Sequence, residues 1–355
     1  MRGGAPVSLA VVDASRALPD AACPDVYFTA GYGRAAALTR GGDWELLRDD
    51  DRILLPYVRT PAGGGGFDAA SPYGYSGLYV APGCPPHRVA GFWAQARRSL
   101  RSAGVVAVFL RCSPLDEAGT AALGALDGVR LTRRGDTVTV PVAAGPDAVW
   151  AGMRGRSRTA VRKAEQAGLA GDIRAAEPAD LAPDGPFRRL YADTMRRVGG
   201  AAGYLFGDDY YAALRTGLGP GLRLARVRDR AGDVQAAALV LVHGGRVHYH
   251  LSGSTAAGGR AGANNLLLWS ILRWAAERGA DCVHLGGGVS AEDGLFRFKE
   301  SFGGRRTRFF TGAVVLDPAG YDRLVAHRAA ELGRTPPELV ATGYFPAFRF
   351  GSGLL

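Results

Sequence analysis

Three strand-like runs in close succession, Leu222 to Val227, Val234 to Val242 and Arg246 to Ser252, constrain this chain more than any other feature. They are short, rich in β-forming residues and bounded by polar or glycine-containing breaks, so they read as strands rather than helices. The last two are joined by His243-Gly-Gly245. Glycines between two such runs supply the positive φ angles of a tight hairpin, so the second half of the chain contains an antiparallel meander. A helical pattern from Asn264 to Arg278, stopped by Gly279 as a C′ glycine, and a buried strand Cys282-Val-His-Leu285 follow it.

The segment after that strand carries the strongest sign of a site. Gly286, Gly287 and Gly288 form a tight turn that leads into a short helix holding Phe298-Lys299 and ending near Phe302-Gly303. Glycines that close a strand let backbone N–H groups approach a ligand and start a helix whose positive end faces it. Leu295, Phe298 and Phe302 fall at i, i+3 and i+7, which predicts the buried stripe and leaves Lys299 beside it at the rim of a cleft. An ordinary surface lysine next to core phenylalanines fits the same pattern.

At 355 residues the chain exceeds the size at which one core usually keeps growing, so two domains are expected. Apolar residues make up 47% and charged residues 21%, the balance of a soluble, well-cored protein. No apolar run is long enough to span a bilayer, and no charged and apolar leader opens the chain. Cys23, Cys84, Cys112 and Cys282 are scattered, which fits a reducing cytoplasm and speaks against a disulfide framework or a zinc ribbon. The expected location is cytoplasmic, with no stable membrane insertion. A net charge of +10 favours an anionic partner such as nucleic acid, a nucleotide or a phosphorylated lipid precursor.

In the first half, strands near Val7 to Val12, Trp44 to Leu47, Arg52 to Val58, Val105 to Leu110 and Thr137 to Val142 alternate with helices near Tyr27 to Leu38 and Pro86 to Ala103. The second half reads as helices at Pro146 to Gly168, Pro186 to Val198 and Asp208 to Thr216, then the meander, a helix, a strand, the Phe-Lys helix and a strand from Thr307 to Leu316. A helix from Ala319 to Leu332 finishes it. This is the order of the GNAT N-acyltransferase fold. The expected class is therefore α/β (α+β) with mixed sheets, as two tandem GNAT-like domains: 1–145, degenerate and on the acceptor side; 146–332, with the donor side and the lysine; and a tail from 333 to 355.

Asp25-Val-Tyr-Phe28, Leu55-Pro56 with Arg59, Ser71-Pro-Tyr73-Gly-Tyr75, Arg158-Thr-Ala-Val-Arg162-Lys163-Ala-Glu-Gln-Ala-Gly168 and Phe298-Lys299 before Phe302-Gly303 together resemble the FemABX family. The resemblance spans roughly residues 24 to 316. It implies an aminoacyltransferase that takes an amino acid from aminoacyl-tRNA, as co-substrate and without a cofactor. The acceptor would be an amine of a peptidoglycan precursor or of a peptide or nucleoside metabolite, and the enzyme a monomer. The long charged coiled-coil arm of some members is missing. By motif matching, the resemblance puts Phe298 and Lys299 at the reaction centre, and Arg197, Tyr204, Arg59, Tyr73 and Tyr75 on the acceptor.

Acyl-CoA dependence stays open beside this reading. CoA-using relatives hold pyrophosphate on a Gln/Arg-x-x-Gly-x-Gly/Ala loop, and here Gly258-Gly-Arg260-Ala-Gly262 has its arginine one residue too close. A glycine-rich anion cradle including Arg260 is retained as a donor candidate. Arg154, Arg158 and Arg162 recur at i, i+4 and i+8 with Arg156 and Lys163 beside them, a like-charged stripe that costs a few tenths of a kcal/mol per pair and so suggests contact with the tRNA donor or with precursor phosphates; a solvated face fits it too. His248 and His250 share a strand face, as do Cys282 and His284, but the strands of this fold splay apart there, so no metal is expected. Tyr249 or His250 then lines the substrate cleft. Attack of an amine on an activated ester develops an oxyanion, and a fixed cation or N–H donor aimed at it is worth roughly 3–4 kcal/mol. Lys299 is the candidate cation, or, as the resemblance implies, the group that holds the ribose-phosphate of the donor's terminal adenosine, and the Gly286 to Gly288 turn is the candidate for N–H donors. No residue stands out as the base. A non-enzymatic nucleotide- or tRNA-binding protein is the remaining alternative.

Overall fold

In a computed structural model of the chain, residues 9–13, 17–200, 202–288 and 293–353 are described. The chain divides into two compact units, Met1–Arg134 with Phe309–Leu355, and Gly135–Arg308. The elements of the first part are β1 (Leu9–Asp13), α1 (Ala30–Arg40), β2 (Asp43–Asp49), β3 (Ile53–Pro61), β4 (Phe67–Ala70), β5 (Tyr79–Val80), α2 (Pro86–Ser102), β6 (Val105–Arg111) and α3 (Glu117–Gly124). Strand β7 (Arg130–Pro141) leads into α4 (Pro146–Gly152), α5 (Gly155–Gln166), β8 (Ala170–Ala175), α6 (Pro178–Leu181), α7 (Pro186–Arg197) and α8 (Asp208–Leu218). The meander β9 (Leu222–Arg228), β10 (Val234–His243) and β11 (Arg246–Ser254) comes next. It is followed by α9 (Ala256–Arg260), α10 (Ala263–Glu277), β12 (Cys282–Gly286), α11 (Gly294–Glu300) and β13 (Arg305–Val315), then α12 (Pro318–Glu331) and α13 (Pro336–Ala341).

In the first unit the strand order is β1-β2-β3-β4-β6-β13, with β4 parallel to β6. Helix α2 starts with Pro86 in its first turn, where a missing N–H costs nothing. It buries Val89, Phe92, Trp93, Ala96 and Leu100, one helical face, in a core with Leu55, Val108 and Leu110. The polar centre is Asp68, fully buried in β4 and paired with Arg40 Nη2 at 2.9 Å and Arg349 Nε at 2.9 Å. Residues from Phe309 onward, expected in the second domain and its tail, group with this unit instead. The reason is packing: Leu316 N–H bonds to the Val106 carbonyl, and Leu324, Val325, Leu339 and Phe348 build a separate core on Val106 and Ala107.

In the second unit the order is β7-β12-β11-β10-β9-β8. Gly244 and Gly245 both take positive φ in the β10–β11 hairpin, as their sequence requires. Helix α10 is apolar nearly all round, with Leu266, Leu267, Leu268, Ile271 and Leu272 buried, because it lies in the core among Ala225, Val227, Ala238, Val240 and Val161 of α5. Edge strand β8 is absent from the sequence reading; its stretch Ala-Gly-Asp-Ile-Arg-Ala offers one large apolar residue and no alternation. Among the described residues no helix is long and apolar enough to cross a membrane.

Candidate active site

The parallel pairing of β11 with β12 covers only Arg246↔Cys282, Val247↔Val283 and His248↔His284, although β11 continues to Ser254. Two local features bend the strands apart at this level. On β11, Tyr249 pairs with Val240 and Leu251 with Leu239, so His250 is the extra residue of a bulge. On β12, the register against β7 shifts between His284 and Gly286, and Gly286 has φ +71°, a conformation that a side chain resists. The result is a split between two neighbouring strands.

Lys299 spans that split. Helix α11 is started by Asp293, whose Oδ1 accepts the N–H of Phe296 at 2.8 Å. A Cβ on Gly288 would stand 2.3 Å from the same oxygen, so the third glycine of the turn is required by the cap. Contrary to the sequence expectation, the buried stripe of this region is Phe296, Lys299 and Phe302, while Leu295 is 43% exposed and Phe298 half-buried. Lys299 thus lies within the stripe. Its Nζ donates to the Gly287 carbonyl on the β12 side at 2.7 Å and stands 5.9 Å from the centre of the Tyr249 ring on the β11 side. Burial lowers its pKa from 10.5 to about 8, partly countered by Asp293. The ammonium is therefore held with little hydration. The turn offers it a carbonyl; residues 289–292 of the turn lie outside the described residues.

On the other face of α11, formed by Gly294, Arg297, Phe298 and Ser301, a cavity of about 430 Å³ is also lined by Arg156, Ser157 and Asn265. Arg156 and Ser157 belong to the first turn of α5, Asn265 to the first turn of α10, and Gly294 begins α11. Ser157 Oγ and Ser301 Oγ share a hydrogen bond of 2.7 Å at its base. Arg156, Ser157 and Asn265 stand on helix starts, whereas Arg297 and Ser301 lie at the end of α11; the two guanidinium groups give the wall its positive charge. Phe298 contributes its ring to the cavity and packs edge-on against Phe302 at 5.5 Å. Arg297 and Asn265 have no signal in the sequence reading, and Arg156 enters it only as a neighbour of the basic stripe; Gly152 and Gly155 around Met153 are the signal for the turn that places it.

Those glycines mark a break, because the helix expected from Pro146 to Gly168 is two helices with Met153 and Arg154 extended between them. The basic stripe is dispersed as a consequence. Arg154 pairs with Glu300 at 2.8 Å. Arg158 donates to the carbonyls of Ala151 at 3.1 Å and Met153 at 2.5 Å, satisfying the end of α4. Arg162 lies over the Trp150 ring at 5.3 Å. Lys163 and Arg260 are exposed. Just before α10, α5 packs closely on Gly262, where a Cβ would come within 2.9 Å of the Ala160 carbonyl, while Asn265 in the first turn still lines the cavity.

Across the meander, Tyr249 packs into the α10 core and burial raises its pKa to about 12, while His250 accepts or donates a 2.7 Å hydrogen bond with Tyr210 of α8. Burial and the neighbouring His248 lower His250 to about 3, so its imidazole is neutral. Arg197 donates to the Ser254 carbonyl at 2.9 Å, tying α7 to the end of β11, and Tyr204 is exposed in a short 3-10 turn with its carbonyl accepting from Tyr191. His248 and His284 are buried with rings edge-to-face at 5.6 Å, and no group of three or more His, Cys, Asp or Glu ligands is gathered among the described residues. In the first unit Arg59 is paired with Glu45 at 2.9 Å, whereas Tyr73 and Tyr75 flank Arg111.

Residues 151–300 match the family described as acetyltransferase (GNAT) domain. No curated protein matches the chain. Among solved structures, the fold is similar to FemX, with 14% identity, 84% of this chain and 94% of that chain covered, and a TM-score of 0.64. It is also similar to the C-terminal domain of a putative lysylphosphatidylglycerol synthetase from Agrobacterium fabrum, at 16% identity, 82% and 90% coverage and a TM-score of 0.53. A tandem GNAT protein from the clavulanic acid biosynthesis pathway aligns over 88% of this chain and 99% of its own, at 16% identity and a TM-score of 0.51. The fold is GNAT-like.

Proposed function

We propose that the protein is an aminoacyltransferase that moves an amino acid from the terminal ribose ester of an aminoacyl-tRNA to an amine. The observation that carries this reading is the buried Lys299 ammonium between the two diverging strands; the cavity walled by Arg156 and Arg297 lies on another face of the same helix. The ester carbonyl enters the split, and the amine attacks it. The developing oxyanion meets Lys299, whose weakly hydrated charge stabilises it more than bulk water would. Collapse breaks the ester C–O bond, expels the ribose hydroxyl and leaves an amide, and the amine proton passes to that hydroxyl or to water. The arginine wall takes phosphates of the donor's 3′ end. Acceptors in view are amine-bearing peptides, nucleotide-linked or lipid-linked precursors, consistent with the FemX and lysylphosphatidylglycerol synthetase folds.

The spacing of Arg260 and Gly262, one residue short of the pyrophosphate-loop pattern, is what disfavours an acyl-CoA donor. Purified protein given charged tRNA and a panel of amines should yield an amide product that RNase treatment abolishes. Turnover that survives RNase and depends on an acyl-CoA thioester would replace this reading with a CoA-dependent one.

A further inference from the structure

We infer that Arg111, at the end of β6, is a binding site for an oxyanion, carboxylate or phosphate, of the acceptor; its assignment to the acceptor rests on the function proposed above. The guanidinium is framed by three rings of its own unit, Tyr73 at 5.6 Å, Tyr75 at 5.9 Å and Phe309 at 5.4 Å from its carbon to the ring centres. Its Nε donates to the Gly74 carbonyl at 2.9 Å, which fixes the plane of the group. Its backbone N–H is held by Ser71 Oγ at 3.1 Å. Tyr73 is itself anchored, since its carbonyl accepts the Tyr32 hydroxyl.

Several arginines of this unit face carboxylates, and half-buried Arg48 and Arg52 share with Arg111 the lack of one among the described residues; Arg111 differs from them in its frame of three rings. Buried Arg40 faces Asp68 at 2.9 Å, Arg59 faces Glu45 at 2.9 Å, and Arg88 faces Asp49 at 2.5 Å. Half-buried Arg111 has no carboxylate partner among the described residues. Ring faces attract a cation but accept no N–H in the guanidinium plane, so its two terminal nitrogens point a fork at whatever lies beyond the rings. That fork matches two oxygens of a carboxylate or phosphate. A purely structural cation could have been replaced by an apolar residue at this strand end without leaving a charge to be compensated.

The test uses the full chain and reads Arg111 directly. Phenylglyoxal modification mapped by mass spectrometry should be slowed at Arg111 by the dipeptide Ala-Ala and not by its C-terminal amide if the ligand is a carboxylate. If it is a phosphate, inorganic phosphate should protect and the dipeptide should not. An Arg111 that reacts at the same rate with every probe, or that never reacts, overturns the inference. In the transfer assay, Arg111→Met should raise the acceptor's KM by about tenfold or more with kcat little changed, and Arg111→Lys should recover part of the loss. Protection without transfer activity would sink the functional proposal and leave the anion site standing; transfer with unaltered KM in a folded Arg111→Met protein would do the reverse.

Discussion

The two units contain the same strand–helix–strand unit with opposite outcomes. In β4–α2–β6 the parallel strands pair from Phe67↔Val105 to Ala70↔Phe109, and Ser71 N–H continues the ladder to the Phe109 carbonyl at 2.8 Å. The Ser76↔Cys112 bridge and the Arg111 side chain then close the strand ends. In β11–α10–β12 pairing stops after three residues, at a bulge on one strand and a positive-φ glycine on the other, and a buried lysine fills the gap. Openness is thus not a property of the crossover. In the open copy one inserted residue and one glycine mark where pairing ends, whereas the register shift of the closed copy, between Phe67 and Asp68, leaves the later pairs intact.

Four measurements can break or sharpen that contrast. Asp68→Asn, in the closed copy, leaves buried Arg40 uncompensated and should cost about 3–5 kcal/mol in a denaturant titration. A smaller loss would show that closure does not depend on this ion pair. In the open copy, Lys299→Met should lower the transfer rate on the order of 100-fold, with folding retained because an apolar chain replaces a cation that burial already disfavours. Equal kinetics in mutant and wild type would reduce the split to a structural defect.

A third measurement follows the lysine through pH. Its folded pKa of about 8 lies below the ordinary 10.5, so between these values the unfolded chain holds more protons and stability should rise with pH, whereas below about 8 the full burial penalty applies. At a constant concentration of the neutral amine, transfer should fall about tenfold per pH unit above about 8, as the ammonium is lost. A flat profile in both assays argues that Nζ is hydrated. The smallest effect belongs to the dispersed stripe: Arg158→Ala should cost about 1–2 kcal/mol through the unsatisfied end of α4, and leave the salt dependence of tRNA binding nearly unchanged. A slope reduced by about one unit would restore Arg158 to a phosphate contact.

Much of the second unit was legible because its signals are local. The His243-Gly-Gly245 hairpin, the Gly279 stop and the Phe298-Lys299 helix each lie within a few residues of their cause. The face of that helix was misread because apolar residues at 295, 296, 298 and 302 allow two stripes, and a helix of seven residues is too short to average the ambiguity away. The choice was made by Asp293, whose cap fixes where the first turn begins. The break at Met153 escaped because Gly152 and Gly155 weaken a helix without forbidding it, and Arg158 acts on carbonyls that exist only once the break is made. The return of Phe309 and later residues to the first unit depends on partners such as Val106, which no window of neighbouring residues contains.

The pairing of Asp68 with Arg349 joins positions 281 residues apart, with the whole of the second unit between them. On the ribosome, at about 5–20 residues per second, the second guanidinium emerges roughly fifteen seconds to a minute after the carboxylate it neutralises. Residues 135–308 are complete before then and can form their own core, while the first sheet waits for its β13 and for the segment that seals it. The unit that starts first is therefore the one that finishes last, and Asp68 waits through that interval for the second of its two guanidinium partners.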